Sequence, residues 1–195
     1  MSADGLLRLA RSDRAARIVG FGWGFAEGVV FFIVPDVYIT FAALFSLRAG
    51  VVAWLSSILG SLVAVVIVYV LVAVVAVPYV SWLDAIPGIS QTLIQETTVR
   101  LRAEGLPYTP LLIFGGVPLK VYAGCATMLG NSLGSLLLWT VFARIARIAP
   151  PVALLAVVRG IFRASIDRQP RRWMAAHLVV WTVFYVFYFI QMANR

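Results

Sequence analysis

The sequence is poor in the groups from which most soluble active sites are built. It has one cysteine, Cys125, and one histidine, His177. It can therefore close no disulfide within the chain and assemble no cysteine-based metal site. A lone histidine on an apolar helix reads as a packed or interfacial side chain rather than a metal ligand, so neither a metal nor another cofactor is implied. There is one lysine, Lys120, and charged residues make up only 12% of the chain, against about 25% in ordinary soluble domains. No Ser/His/Asp constellation or metal-ligand cluster is present, which argues against an enzyme.

Apolar residues are what the chain has in abundance: 62% of 195 residues, with a mean hydropathy of +0.96. That composition belongs to an integral membrane protein. Sixteen basic residues outweigh eight acids, giving a net charge of +8. The arginines flank apolar runs, where the positive-inside rule and anionic headgroups explain them better than nucleic acid does. The first apolar run has no convincing cleavage site and does not read as a signal peptide.

The most informative stretch is Phe25-Ala26-Glu27-Gly28-Val29-Val30-Phe31-Phe32-Ile33-Val34-Pro35-Asp36. Two carboxylates and a proline interrupt a run that otherwise suits hydrocarbon. An ionisable group at bilayer depth costs about 2.5 to 3.5 kcal/mol on insertion scales, so it requires a partner, a proton or water. Pro35 removes a backbone donor and stops a helix that would otherwise cross.

Taken in order, residues 1–17 read as an amphipathic N-terminal helix with Arg8, Arg11 and Arg14 at spacing three and an Asp13 to Arg17 pair. A frayed basic tail is the competing reading. Residues 18–77 form a first repeat. Its opening run, Ile18 to Leu47, breaks at Pro35 into pieces of about 24 Å and 17 Å, each short of a hydrocarbon core of about 30 Å. A re-entrant helical hairpin fits this better than two spans, with a single kinked helix as the alternative. Val51 to Val77 follows as a full span, with Gly60, Ser61 and Ala64 as a small-residue packing face.

Residues 78–107 are a polar connection in which Ser90 to Gly105 forms a second amphipathic helix, with Glu96 and Arg100 spaced to pair. Residues 108–158 repeat the first theme: an apolar run broken at Gly115-Gly116-Val117-Pro118-Leu119-Lys120, then a helix from Asn131 kinked or broken at Pro150-Pro151. Residues 159–172 read as a basic loop, and 173–195 as a C-terminal transmembrane helix.

The two halves echo each other. Leu59-Gly60-Ser61-Leu62 recurs as Leu133-Gly134-Ser135-Leu136. The arginines put the first hairpin and the far end of the second repeat on one side, so the hairpins enter from opposite faces. The expected fold is thus an all-α integral membrane protein, a single membrane domain with two re-entrant helical hairpins in an inverted repeat. Each hairpin is followed by a transmembrane helix, as in many secondary transporters.

Between Phe21 and Phe142 the residues resemble the DedA family, also called VTT-domain or SNARE-associated membrane proteins, and most closely its YqaA-like branch. The matching positions are Glu27, Pro35 and Asp36 in the first hairpin and Pro118, Lys120, Val121 and Tyr122 in the second. Gly60 and Tyr69 in the intervening span complete them. Phe32 and Val34 stand where that family has prolines. Ala64-Val65 and Val72-Ala73 replace its glycine-aspartate and glycine-arginine pairs, and Gly115 replaces an arginine.

The resemblance implies a flippase or scramblase for a phosphate-bearing lipid, a polyprenyl-phosphate carrier such as undecaprenyl phosphate or a phospholipid. It implies a bacterial inner-membrane location with a cytoplasmic N-terminus. It also admits proton or sodium coupling and a homo-oligomer. On the residues themselves, Lys120 is the cation at a hairpin tip that would meet the phosphate, aided by backbone amides near Gly115 and Gly116 and lined by Pro118 and Tyr122. Glu27 and Asp36 would balance Lys120 or carry a proton, while Pro35 and Gly60 shape the hairpin. The competing readings are a buried ion pair that only fixes packing and a non-transporting scaffold or assembly subunit.

Overall fold

The computed structural model describes residues 3–30, 33–75, 77–86, 88–106 and 117–193, and among these every regular element is a helix. The order is α1 Ala3–Arg11, α2 Asp13–Val29, α3 Asp36–Phe45, α4 Leu47–Ala73, α5 Tyr79–Asp84, α6 Gln91–Glu104, α7 Leu119–Met128, α8 Leu133–Arg168 and α9 Pro170–Ala193. Three of them are long and apolar enough to cross a membrane: Leu47–Ala73, Leu133–Arg168 and Pro170–Ile190. This makes the chain an all-helical membrane protein by length and composition.

Capping residues set several boundaries. Ser12 takes extended backbone and its hydroxyl accepts from the Ala15 amide, so it ends α1 and starts α2. The single amphipathic helix expected over 1–17 is therefore two helices. Ser46, Ser90 and Ser132 cap α4, α6 and α8 in the same way. Gly105 closes α6 with φ +75, backbone that favours glycine. The α6 face carrying Leu93, Ile94, Thr97 and Leu101 is buried, as its helical spacing predicts.

The path through the molecule follows from a few contacts. Helix α2 rises, and the chain breaks after Val29 and resumes as α3 at Asp36. Helix α3 returns toward the start, since Leu44 and Phe45 pack with Ala10 of α1. Helix α4 then climbs beside α2, with Arg48 at its foot bonded to Asp13 at 2.8 Å. Asp13 thus takes Arg48 rather than its expected neighbour Arg17. Helix α8 descends: Leu136 packs at the level of Val65 and Val68, Ile148 and Val152 at the level of Ala16 and Ala53, and Ile166 beside Ala10.

Glycine lets α2 and α4 lie almost backbone to backbone. Gly20, Gly24 and Gly28 recur every fourth residue on one face of α2 and meet Ala53, Ser57 and Ala64 of α4; Gly60 meets Phe21 and Phe25 in return. A Cβ at Gly28 would come within 2.5 Å of the Ala64 methyl, and at Gly20, Gly24 or Gly60 it would strike backbone. Small residues at every turn are the standard means by which helices associate in lipid, where no hydrophobic effect drives them together. Gly60 therefore belongs to this packing face as well as to the expected hairpin.

Two boundaries differ from the sequence reading. The basic loop expected over 159–172 is helical except at Phe162 and at its link, Gln169: α8 runs through Pro150 and Pro151 without a break and continues past a kink at Phe162 to Arg168, and α9 begins at Pro170. Buried Ile148 and Val152 hold the helix on both sides of the prolines. The only non-helical backbone within α8 is at Phe162 instead. Of the second expected hairpin, Tyr108 to Gly116 lies outside the described residues; α7 starts with Leu119 against Gly28 and ends past Gly124, which abuts Tyr79 of α5.

Gly24→Ala should lower the melting temperature in detergent, destabilising by about 1–3 kcal/mol through overpacking. Gly22→Ala, whose methyl would meet nothing within 4 Å, should be neutral or slightly stabilising. Equal effects from the two would exclude this packing as the determinant.

Candidate functional site: a cluster of five charges

The α2 break places Glu27 at the inner end of its helix, about 21 Å along the axis from Asp13. Its carboxylate forms an ion pair with the Arg144 guanidinium of α8, with only 3% and 4% of the two side chains exposed. Its main-chain carbonyl accepts a hydrogen bond of 3.0 Å from the Lys120 ammonium of α7. That carbonyl lies in the last turn of α2, where the helix supplies no donor, so Lys120 caps it. Lys120 sits in the first turn of α7, the positive end of the helix dipole, which makes an external acceptor the more necessary.

Asp36 occupies the first turn of α3, where a carboxylate complements the dipole, with Pro35 as N-cap. One of its oxygens, Oδ2, stands 3.5 Å from a guanidinium nitrogen of Arg147. Arg144 and Arg147 are one turn apart on α8 and so share a face. Three cations and two carboxylates from α2, α3, α7 and α8 thus converge. In surroundings of low polarity each carboxylate requires its arginine, and the surplus is one positive charge.

The outer flank is built by α9. Beyond Pro170 and Met174 at its start, its half-buried side chains fall at Trp173, His177, Trp181, Tyr185 and Tyr188, one stripe at helical spacing. The His177 ring lies 3.0 Å from the Thr40 hydroxyl, and Trp181 Nε1 donates to the same oxygen at 3.1 Å. The Tyr185 hydroxyl accepts from the Val34 amide at 2.9 Å, in the break between α2 and α3. The break is held from the other side by Trp23 Nε1, which donates to the Ile33 carbonyl at 2.9 Å.

The sequence-predicted residues divide clearly. Glu27, Asp36 and Lys120 come together. Pro35 and Pro118 are the N-caps of α3 and α7. Tyr122 is buried in the α7 core, its hydroxyl donating to the Leu106 carbonyl at 3.1 Å. Gly115 and Gly116 lie outside the described residues. The counter-ions differ from expectation: Lys120 was to balance the acids, yet the Glu27 carboxylate takes Arg144 and Asp36 takes Arg147.

Both arginines read in the sequence as flanks of a span. Two arginines three residues apart inside a helix that otherwise suits lipid, matched to two acids, are the signal that points to them. No family model, curated protein or solved structure matches the chain.

Removing one member of the inner pair leaves the other charged and buried. Glu27→Gln or Arg144→Gln should each cost about 3–5 kcal/mol, and the double variant much less than their sum. A thermal-melting cycle on the three variants measures this; additive losses would mean the pair is not coupled.

Proposed function

We propose that the protein moves a phosphate-bearing lipid across its membrane, as a flippase or scramblase, through the charged cluster between the α2–α3 break and α7. The observation that carries this reading is the cluster itself: Glu27, Asp36 and Lys120 at helix ends, against Arg144 and Arg147 from within α8. A surplus positive charge at this depth has a use if a phosphate headgroup occupies the site, since binding then replaces hydration with fixed donors.

The resemblance to the DedA family over Glu27, Pro35, Asp36, Pro118, Lys120 and Tyr122 supports the same substrate class. On this reading α2–α3 and the segment ending in α7 are re-entrant hairpins of an inverted repeat, a polyprenyl phosphate or phospholipid is the cargo, and proton or sodium coupling runs through the carboxylates. The N-terminus faces a bacterial cytoplasm, with the arginines of α1 and of the α8–α9 junction on that side. The chemistry is transport, with no bond made or broken.

In reconstituted vesicles, Lys120→Ala should reduce translocation of a phosphate-monoester lipid by at least about tenfold. A variant that folds and transports like the wild type would exclude Lys120 from the path. A charge swap at Glu27 and Arg144 that restores stability and transport together would reduce their ion pair to a packing device.

A further inference from the structure

The five charges of the cluster are not equivalent, four being buried and Arg147 half-buried. Arg144 is enclosed, its guanidinium committed to Glu27. Lys120 is 1% exposed and ties α7 to the end of α2. Arg147 differs on both counts: its side chain is 28% exposed, and its partner is met at ion-pair distance, 3.5 Å. Asp36 Oδ2, the atom it faces, is buried and accepts no hydrogen bond. A buried carboxylate oxygen held only by a loose ion pair is in an unfavourable state, because it has given up water without gaining a donor. The Arg147 guanidinium, in contrast, has five N–H donors in a planar fork suited to two oxygens of one phosphate.

We propose that Arg147 is the residue that directly grips the phosphate monoester group and that it does so in exchange with Asp36. Arg144 and Lys120 hold the framework and supply the surrounding positive field. The carboxylate keeps Arg147 in place while the site is empty, and the incoming phosphate competes for the same fork. This inference rests on the lipid-phosphate reading above and adds to it which cation exchanges partners and which acid opposes binding. Arg147 qualifies by position as well: it lies on the α8 face that looks toward α3, one turn beyond the locked Arg144, and is the most exposed of the three cations.

The competition gives a sign that a structural ion pair does not. With the full chain in nanodiscs, dodecyl phosphate binding is measured by titration calorimetry, with inorganic phosphate and dodecylphosphocholine as parallel probes. Arg147→Gln should weaken dodecyl phosphate binding by about tenfold or more, and Arg147→Lys, which keeps charge but not the fork, should fall between it and the wild type. Asp36→Asn should tighten binding several-fold by removing the competitor, and dodecylphosphocholine, a diester, should bind less well than the monoester.

If Arg147→Gln binds within about twofold of the wild type, or if Asp36→Asn weakens binding as Arg147→Gln does, the exchange is wrong. Should Asp36→Asn fail to fold, the comparison of Arg147→Gln with Arg147→Lys decides: equal affinities overturn the proposal. Inorganic phosphate that binds as tightly as dodecyl phosphate, with both lost in Arg147→Gln, supports the exchange but overturns the lipid as cargo. A wild type that binds neither overturns both readings.

Discussion

The ion pair between Glu27 and Arg144 is the constraint from which the rest of the arrangement follows. A carboxylate and a guanidinium withdrawn from water hold each other against a large desolvation penalty, and the arrangement persists only while their geometry does. The pair joins residues 117 apart in sequence, so α8 must lie where the end of α2 puts its acid. Once α8 is placed, Arg147 necessarily points at the start of α3. The α2–α3 break is thereby anchored by charge on one side and by Trp23 and Tyr185 hydrogen bonds around it.

Close packing of α2 on α4 complements that anchor. Backbone contact along Gly20, Gly24 and Gly28 leaves little room for the two helices to slide, because each glycine has its own seat on Ala53, Ser57 or Ala64. Lipid offers no hydrophobic penalty for separating helices, so shape has to supply the specificity. Glu27 is adjacent to the last of these glycines, and the depth of the cluster is therefore set by the register of the glycine seam. Helix α9, by contrast, touches the bundle through one stripe and leaves Leu178, Val179, Val183 and Phe187 exposed.

Much of this was legible in the sequence, and for a physical reason. Glu27, Asp36 and Lys120 stand out because a charge in an apolar run is costly whatever its neighbours are. Pro35 stands out as a helix stop, and the structure adds that it and Pro118 also cap the starts of the next helices. Arg144 and Arg147 were missed because their depth depends on where α8 ends. If the helix stops at Pro150, both arginines lie at its edge; as it continues to Arg168, Arg144 is well inside. The α4 half of the glycine seam is legible as the small-residue face of Gly60, Ser61 and Ala64, whereas Gly20, Gly24 and Gly28 gain their meaning only once α2 is laid against that face. Gly115 and Gly116 fall outside the described residues.

Helix α8 carries a mechanical consequence of its two prolines. Pro150 and Pro151 have no amide hydrogen, so the carbonyls of Ala146 and Arg147 lose the donors that an ordinary helix would give them. Two consecutive rungs of the ladder are missing one turn beyond the charged face. Packing makes up for the missing rungs: Ile148 and Val152, on either side of the prolines, are both seated in the core beside Ala16 and Ala53, so the helix holds its course there and bends only farther on, at Phe162. Arg144 and Arg147 thus lie on one continuous helical stretch that Ile148 fixes to the core, and the two cations move together if they move at all.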